Sequence, residues 1–299
     1  MASGVGVFVS ERVAAAIVHD HEIAGAVHAF PPDHMEPDVL LGMPAEVLVG
    51  TIINLIRPLV GTQAPEFIGV AFPGIVRNGV IEDSPNLAQL KGQPMQALLE
   101  SALRHFNIST QVSIFNDADV VAAGLAARRG QLDRLIRVWT LGNGIGYGRY
   151  PSLEGVWEGG HMVVSLDPKE QYCGCGGRGH LEGIMGNRAM RLRFMDLEPD
   201  EVFEQAAKGE QRCVDFVKQW HRALAAATAT SIHMDGPGKF FITGLNARFL
   251  NVSLVAEYLH EMVKLSPLQG YSLEVVSGGE EIALIGAAVN ASQARSRNV

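Results

Sequence analysis

The sequence predicts an α/β fold, because short apolar runs of strand length alternate along the chain with longer stretches of helical periodicity. Several of the apolar runs end in turn residues, such as Pro73 and Gly74 after one run and Asn116 and Asp117 after another. With 299 residues, of which 47% are hydrophobic and 19% charged, the chain can bury a large core. We therefore expect one or two globular domains.

The first half of the chain alternates strands and helices. The predicted elements are strands over 4–9 and 13–18, a helix over 46–60, a strand over 67–72, a helix over 93–106, a strand over 112–115 and a helix that starts at Asp117. A tight turn at residues 10–12 joins the first two strands. Pro58 marks the end of the first helix, and Asp117 places a carboxylate at the positive end of the third.

The second half opens with a glycine-rich pair of strands over 136–150, which echoes the pair at the N-terminus as a weak internal repeat. Long helices over 199–231, a strand over 240–243 and a closing helix over 280–292 follow. No linker or low-complexity segment interrupts this order.

Charge and hydropathy exclude several classes of function. The formal net charge is −8 and no cluster of lysine and arginine is present, which argues against nucleic acid as a partner. No apolar run approaches the ~18 residues of a membrane span, and the N-terminus lacks the layout of a signal peptide. We therefore expect a cytoplasmic protein that acts on a small metabolite.

Two histidines flank a closely spaced pair of cysteines in the segment HMVVSLDPKEQYCGCGGRGHLE, residues 161–182. His161, Cys173, Cys175 and His180 would supply two imidazoles and two thiolates, a donor set suited to tetrahedral zinc. The glycines between them allow so short a loop to turn its ligands inward. A redox pair, or two incidental thiols in a glycine-rich loop, is the alternative. The third cysteine, Cys213, lies in an amphipathic helix and is interpreted as a core residue.

Several further motifs are present, in the order PGIV at 73–76, SPNL at 84–87, NDAD at 116–119, TLGNGIGYG at 140–148, GGH at 159–161, CGCGGRGHLE at 173–182 and ALIGAA at 283–288. Taken together and in this order, these motifs resemble the ROK family of sugar kinases and sugar-responsive repressors. The resemblance implies an actin/hexokinase-like (ribonuclease H-like) fold with two lobes around a cleft. It places an N-terminal lobe at 1–116, completed by helix 280–296, and a larger lobe with the zinc loop at 117–279.

The resemblance also implies which residues bind the structural metal and the sugar. Family members bind a structural zinc through one histidine and three cysteines. Here His180 takes the place of the third cysteine, and zinc also binds sets of two cysteines and two histidines. Glu158, His161 and Glu182 match the family residues that face the sugar. Gly74 and Asn86 would line the sugar from the other lobe. For each carboxylate, the alternative is a solvated surface residue.

Asp117 matches the family's catalytic base, with Asn116 beside it to orient a hydroxyl group of the sugar. The alternative for Asp117 is a helix N-cap.

The nucleotide side departs from the family. Family kinases have a D-x-G-G-T motif, whose aspartate organises Mg²⁺. In this chain the stretch from Phe8 to Arg12 takes the place of the motif, with Phe8 at the position of the aspartate and Glu11 at the position of a glycine. Only Arg12 offers positive charge to phosphate. The second glycine-rich hairpin keeps Gly142 and Gly144 with Asn143 between them, and Gly244 remains of a three-glycine run near the adenosine.

Two hypotheses follow. One is an ATP- and Mg²⁺-dependent kinase that phosphorylates the 6-hydroxyl of a hexose, glucose or an N-acetylhexosamine, and has weak activity because of Phe8 and Glu11. The other is a sugar-binding protein without transfer activity. A repressor is not expected, because the chain starts at its first strand with no DNA-binding segment before it. The family also implies a homodimer.

Overall fold

The computed structural model of the chain describes residues 3–32, 39–60, 64–152, 158–264 and 270–297. Helices and strands alternate along them, so the predicted α/β class is confirmed. The chain divides into two compact units. The first comprises Met1–Ile136, Gly148–Val156 and Gly278–Val299, and the second Arg137–Tyr147 and Trp157–Ser277.

The elements are numbered along the whole chain. The strands are β1 Ser3–Val9, β2 Val13–His19, β3 Glu22–Phe30, β4 Ile68–Phe72, β5 Ile75–Arg77, β6 Val80–Asp83, β7 Val112–Asn116, β8 Ile136–Leu141, β9 Ile145–Tyr150, β10 Lys239–Thr243 and β11 Ser272–Val275. The helices are α1 Ala45–Ile56, α2 Met95–Arg104, α3 Asp117–Arg128, α4 Leu181–Met185, α5 Asn187–Arg193, α6 Pro199–Ala207, α7 Gln211–Asp235, α8 Val252–Met262 and α9 Gly279–Arg297. Short 3-10 helices cover Ala88–Leu90, Gly159–His161 and Leu245–Phe249.

A five-stranded sheet organises the first unit in the order β3-β2-β1-β4-β7. β1 is antiparallel to β2 and parallel to β4, which is in turn parallel to β7. The edge strand β3 was not predicted, and it pairs with β2 through a tight turn at Asp20 and His21, whose φ angles are 48° and 65°. Positive φ at both central residues is the geometry of a type I′ hairpin.

The two faces of this sheet pack on different helices. Val5, Val7 and Val9 share a core cluster with apolar residues of α1 and α2. The alternate residues of β1 point to the opposite face, where a Cβ at Gly6 would fall 2.0 Å from the carbonyl oxygen of Leu284 in α9. The strand therefore contacts the backbone of α9 directly.

Helices α3 and α9 also pack backbone to backbone. A Cβ at Gly124 would lie 1.9 Å from the carbonyl oxygen of Ile282, and one at Gly286 would lie 1.7 Å from that of Val120. This packing keeps α3 in the first unit, whereas the sequence placed the domain boundary after Asn116. It also fixes the start of α3, where Asp117 lies.

In the second unit the strand order is β11-β10-β8-β9, with β10 parallel to both β8 and β11. The core surrounds Trp139 and Trp220, which are fully buried. The Trp139 indole N–H donates to Thr228 Oγ1 at 3.1 Å, and that of Trp220 donates to the carbonyl oxygen of Met185 at 3.2 Å. The second bond joins the long helix α7 to the end of α4.

Among the described residues, no helix combines the length and the apolar character needed to cross a bilayer.

Candidate functional site

The structure brings the four predicted metal ligands together in the second unit. One ligand atom from each of His161, Cys173, Cys175 and His180 lies within 4.8 Å of the other three. The two sulfur atoms are 3.4 Å apart, and Cys175 Sγ lies 3.3 Å from His180 Nδ1. Two thiols and two imidazoles at this spacing fit a tetrahedral zinc ion, so the residues present suit the metal that the sequence predicted.

Backbone hydrogen bonds fold the loop that carries these ligands. Val163 and His180 form an antiparallel bridge, and Leu181 N–H donates to the carbonyl oxygen of Met162 at 2.9 Å. These contacts bring His161 beside His180, with their rings 5.3 Å apart. A Cβ at Gly177 would lie 2.1 Å from the His180 ring, so the loop needs glycine there.

Burial and mutual interactions shift the pKa values of several side chains of the cluster. Hydrogen bonds to Cys173 and then to Glu182 raise the pKa of His161 to about 11. Burial and the charge on His161 lower the pKa of His180 below its usual range. For Cys175, burial raises the pKa of the thiol. In the absence of a metal, a proton on His161 supplies positive charge to the cluster. A bound metal cation would supply that charge instead.

Glu182 connects this cluster to the glycine-rich turn after β8. Its Oε2 accepts the N–H of Ile145 at 3.0 Å, while its Oε1 lies 3.9 Å from His161 Nε2 and 3.7 Å from Cys173 Sγ. Burial alone would raise the pKa of this carboxyl, but the hydrogen bonds from His161 and Ile145 outweigh it and lower the pKa. Glu182 therefore carries its negative charge next to the proposed ligands. Glu158, the other predicted sugar carboxylate, lies on the surface just before the 3-10 helix that ends at His161.

The predicted nucleotide residues of the second unit lie around one turn. Gly142 N–H donates to the carbonyl oxygen of Gly144 at 3.0 Å, which leaves Asn143 exposed at the tip. Gly244, with φ 97°, packs on β8 so closely that a Cβ would lie 2.4 Å from the carbonyl oxygen of Leu141.

Two asparagines that the sequence analysis did not single out hold this turn. The Gly142 carbonyl oxygen accepts the backbone N–H of Asn187 at 3.2 Å and the side-chain amide of Asn246 at 3.3 Å. Asn246 also donates to Asn187 Oδ1 at 2.6 Å. Both side chains are buried, and their separation of 59 residues in the chain gave no local signal.

In the first unit, Asn116 is the N-cap of α3. Its Oδ1 accepts the N–H groups of Ala118 and Asp119 at 2.9 and 3.1 Å, and its Nδ2 donates to the carbonyl oxygen of Gly74 at 2.8 Å. The cap position belongs to Asn116, and Asp117 is the first helical residue. Asp117 also contributes to this helix start, because its Oδ1 accepts the N–H of Ala118 at 2.8 Å. Asn86 lies on the surface of the same unit.

The turn after β1 contains an ion pair that the sequence did not reveal. Arg12 donates to Glu280 of α9 through Nε at 2.7 Å and Nη2 at 2.6 Å, and through Nη1 to the carbonyl oxygen of Pro32 at 3.1 Å. Phe8 packs with Leu284 on the same side of the sheet, and Glu11 is exposed. The positive charge predicted to compensate for Glu11 is thus already neutralised by Glu280.

Comparison with known proteins gives a consistent result. The model of the ROK family matches residues 35–294. A glucokinase of Pyrobaculum calidifontis is 27% identical over 237 residues, which cover 74% of this chain and 76% of that protein. An N-acetylmannosamine kinase of Haemophilus influenzae is 27% identical over 241 residues, 75% of this chain and 76% of that protein.

Among solved structures, the ROK hexokinase of Thermus thermophilus matches with a TM-score of 0.76 and 24% identity, and the match covers 99% of both chains. The predicted actin/hexokinase-like fold is confirmed.

Proposed function

This chain belongs to the ROK family, and from that premise we propose that it is a sugar kinase, which transfers the γ-phosphoryl group of ATP to the 6-hydroxyl of a hexose. The observation that carries the proposal is the arrangement around Glu182. Its carboxylate faces His161 at 3.9 Å while the backbone N–H of Ile145 fixes its other oxygen. A carboxylate and an imidazole side by side can bind neighbouring hydroxyl groups of one sugar ring.

The candidate substrates are glucose and an N-acetylhexosamine. The similar glucokinase and N-acetylmannosamine kinase support these two sugars. In the second unit we assign Glu158, His161 and Glu182 to the sugar, and in the first unit Gly74, Asn86 and Asn116. Glu158 and Asn86 are exposed, so a ligand can reach both side chains from solvent.

Asp117 is the proposed general base. As the sugar oxygen attacks the γ-phosphorus, its O–H bond breaks and the proton passes to the Asp117 carboxylate, while the bond from the γ-phosphorus to the bridging oxygen of ADP breaks. Asn116 supports this role, because it caps α3 and bonds to Gly74, which fixes the backbone from which Asp117 projects.

The proposed cofactors have separate roles. Zinc, bound by His161, Cys173, Cys175 and His180, would cross-link the loop beside Glu182 and has a structural role. Mg²⁺ enters with ATP and supplies positive charge to its phosphates. Gly142, Asn143 and Gly144 form the tight turn that we assign to these phosphates, and Gly244 is assigned to the nucleotide from its place beside Leu141.

Arg12 is also assigned to the nucleotide, and Glu280 accepts two of its hydrogen bonds. This ion pair favours a second candidate function, a protein that binds sugar and transfers phosphate slowly or not at all. The family's homodimer stays a prediction that sedimentation analysis can test.

A panel of hexoses and N-acetylhexosamines separates the two functions. Each sugar is added with MgATP, and both the release of ADP and the shift in melting temperature are measured. A sugar that raises the melting temperature and stimulates ADP release supports the kinase. A sugar that raises the melting temperature without ADP release favours the binding protein, and no response to any sugar contradicts both.

A further inference from the structure

Glu170 closes the loop that carries both cysteines, although it belongs to neither the ligand set nor the proposed sugar residues. Its backbone carbonyl oxygen accepts the N–H of Gly179 at 2.7 Å. This bond joins the two ends of residues 170–179, the cysteine loop, directly before His180. Any movement of Glu170 therefore moves the backbone on which the cysteines lie.

The side chain of Glu170 is clamped from two helices. Arg193, the last residue of α5, donates to both carboxylate oxygens, with Nη1 at 3.1 Å from Oε1 and Nη2 on Oε2. Gln219 of α7 donates to Oε1 at 2.9 Å. The Arg193 guanidinium also stacks over the ring of Tyr172, 4.4 Å from its centroid, within the cysteine loop itself.

This cluster is buried, which sets it apart from ordinary surface ion pairs. The side chain of Glu170 is 7% exposed and that of Arg193 18%, whereas Arg191 of the same helix and Glu198, the N-cap of α6, form a pair whose side chains are 51% and 62% exposed. Burying a carboxylate and a guanidinium incurs a desolvation penalty that often cancels their attraction. A buried pair therefore adds little net stability, but its bidentate geometry fixes the position of the groups it joins.

We propose that Glu170, Arg193 and Gln219 are positioning residues that hold the cysteine loop in its ligand-ready conformation before the metal binds. The inference rests on the zinc site of the proposed function. Ordering a flexible loop of this length costs conformational entropy, which would otherwise be subtracted from the free energy of metal binding. A loop ordered in advance by α5 and α7 binds the ion more tightly with the same four ligands.

Titration of the metal-free protein with Zn²⁺, and with Co²⁺ as a spectroscopic probe, tests the inference. Glu170→Gln should weaken Zn²⁺ affinity about tenfold, the lower range for groups that support ligands from outside the coordination sphere. Gln219→Leu keeps the ion pair but removes one hydrogen bond to the Glu170 carboxylate, so it should weaken Zn²⁺ affinity by a smaller factor than Glu170→Gln does. Arg191→Gln on α5, which breaks the exposed pair with Glu198 and leaves the N-cap of α6 in place, is the control and should stay within about twofold.

Two readouts separate positioning from general damage. The Co²⁺ spectrum of Glu170→Gln at saturation should match that of the native protein, because the ligands are unchanged. In the metal-free state, hydrogen exchange at the Gly179 amide should be slow in the native protein and faster in Glu170→Gln, whatever the metal affinity. Equal exchange rates, or equal Zn²⁺ affinities, in the native protein and Glu170→Gln would overturn the inference. A native protein that binds no Zn²⁺ while the exchange rates differ would instead contradict the proposed zinc site.

Discussion

Replacing Glu280 by glutamine should lower stability and raise nucleotide affinity at the same time. Arg12 and Glu280 form a bidentate pair whose side chains are 13% and 25% exposed. Glutamine keeps one acceptor for Arg12 and loses the other, so the cost is about 1.5 kcal/mol, the lower range for a hydrogen bond to a charged group. For a chain of this size we expect a fall in melting temperature of about 2–3 °C.

The gain in affinity comes from charge. Removing one negative charge about 15 Å from a phosphate, at an effective dielectric constant of about 20, is worth on the order of 1 kcal/mol, or about sixfold in the Kd of MgATP.

The assay is MgATP binding by isothermal titration calorimetry at low salt, together with thermal melting of the same samples. The control is Glu66→Gln, which breaks the exposed pair with Arg295 near the other end of α9 and should change neither quantity measurably. A Glu280→Gln protein that melts earlier but binds MgATP as before would refute the assignment of this turn to the nucleotide.

Three further predictions concern the metal loop, the packing of α9 and the response to pH. Cys175→Ser should release zinc and reduce the sugar-induced rise in melting temperature, measured with and without chelator. Gly286→Ala places a Cβ 1.7 Å from a backbone oxygen and should abolish soluble expression or cost at least about 3 kcal/mol, whereas Gly50→Ala, an open helical position, should be neutral or stabilising by about 0.5–1 kcal/mol. Burial lowers the pKa of His221, whose Nε2 accepts the N–H of Asn251 at 2.9 Å. The neutral form of His221 therefore contributes stability above the ordinary pKa of about 6.5, and this stability is lost as the pH falls. Between about pH 7.5 and 5.5 the melting temperature of His221→Gln should therefore fall less steeply than that of the native protein.

Elements with strong periodicity were predictable from the sequence. Helices α1, α2 and α3 and strands β4 and β7 lie within a few residues of their predicted positions, because apolar spacing identifies a buried face. Strand β3 was missed because its residues are mostly exposed and its turn at Asp20 and His21 lacks glycine and asparagine. The β5–β6 hairpin was also missed, although Asn78 and Gly79, both with positive φ, are a recognised signal for it.

In the candidate site, too, residues close together in the sequence were predictable, and residues far apart in the sequence were not. The cysteine and histidine ligands lie within 20 residues of one another, so spacing alone indicated them. The partner of Arg12 is 268 residues away in the chain, and the clamp on Glu170 comes from helices 23 and 49 residues further on. Charged and amide residues at such separations carry no pattern of their own, and only the fold identifies them as neighbours.

The central claim is transfer of a phosphoryl group to a sugar with Asp117 as the base. Its most direct test is 31P NMR of the native protein and of Asp117→Asn, each incubated with MgATP and with the sugar that raises its melting temperature most. We expect a sugar 6-phosphate signal from the native protein and none from Asp117→Asn, whose sugar affinity should remain within about tenfold because the amide keeps the size of the side chain but accepts no proton. Equal formation of sugar phosphate by both proteins, or none by the native protein with any sugar that binds, would contradict the account.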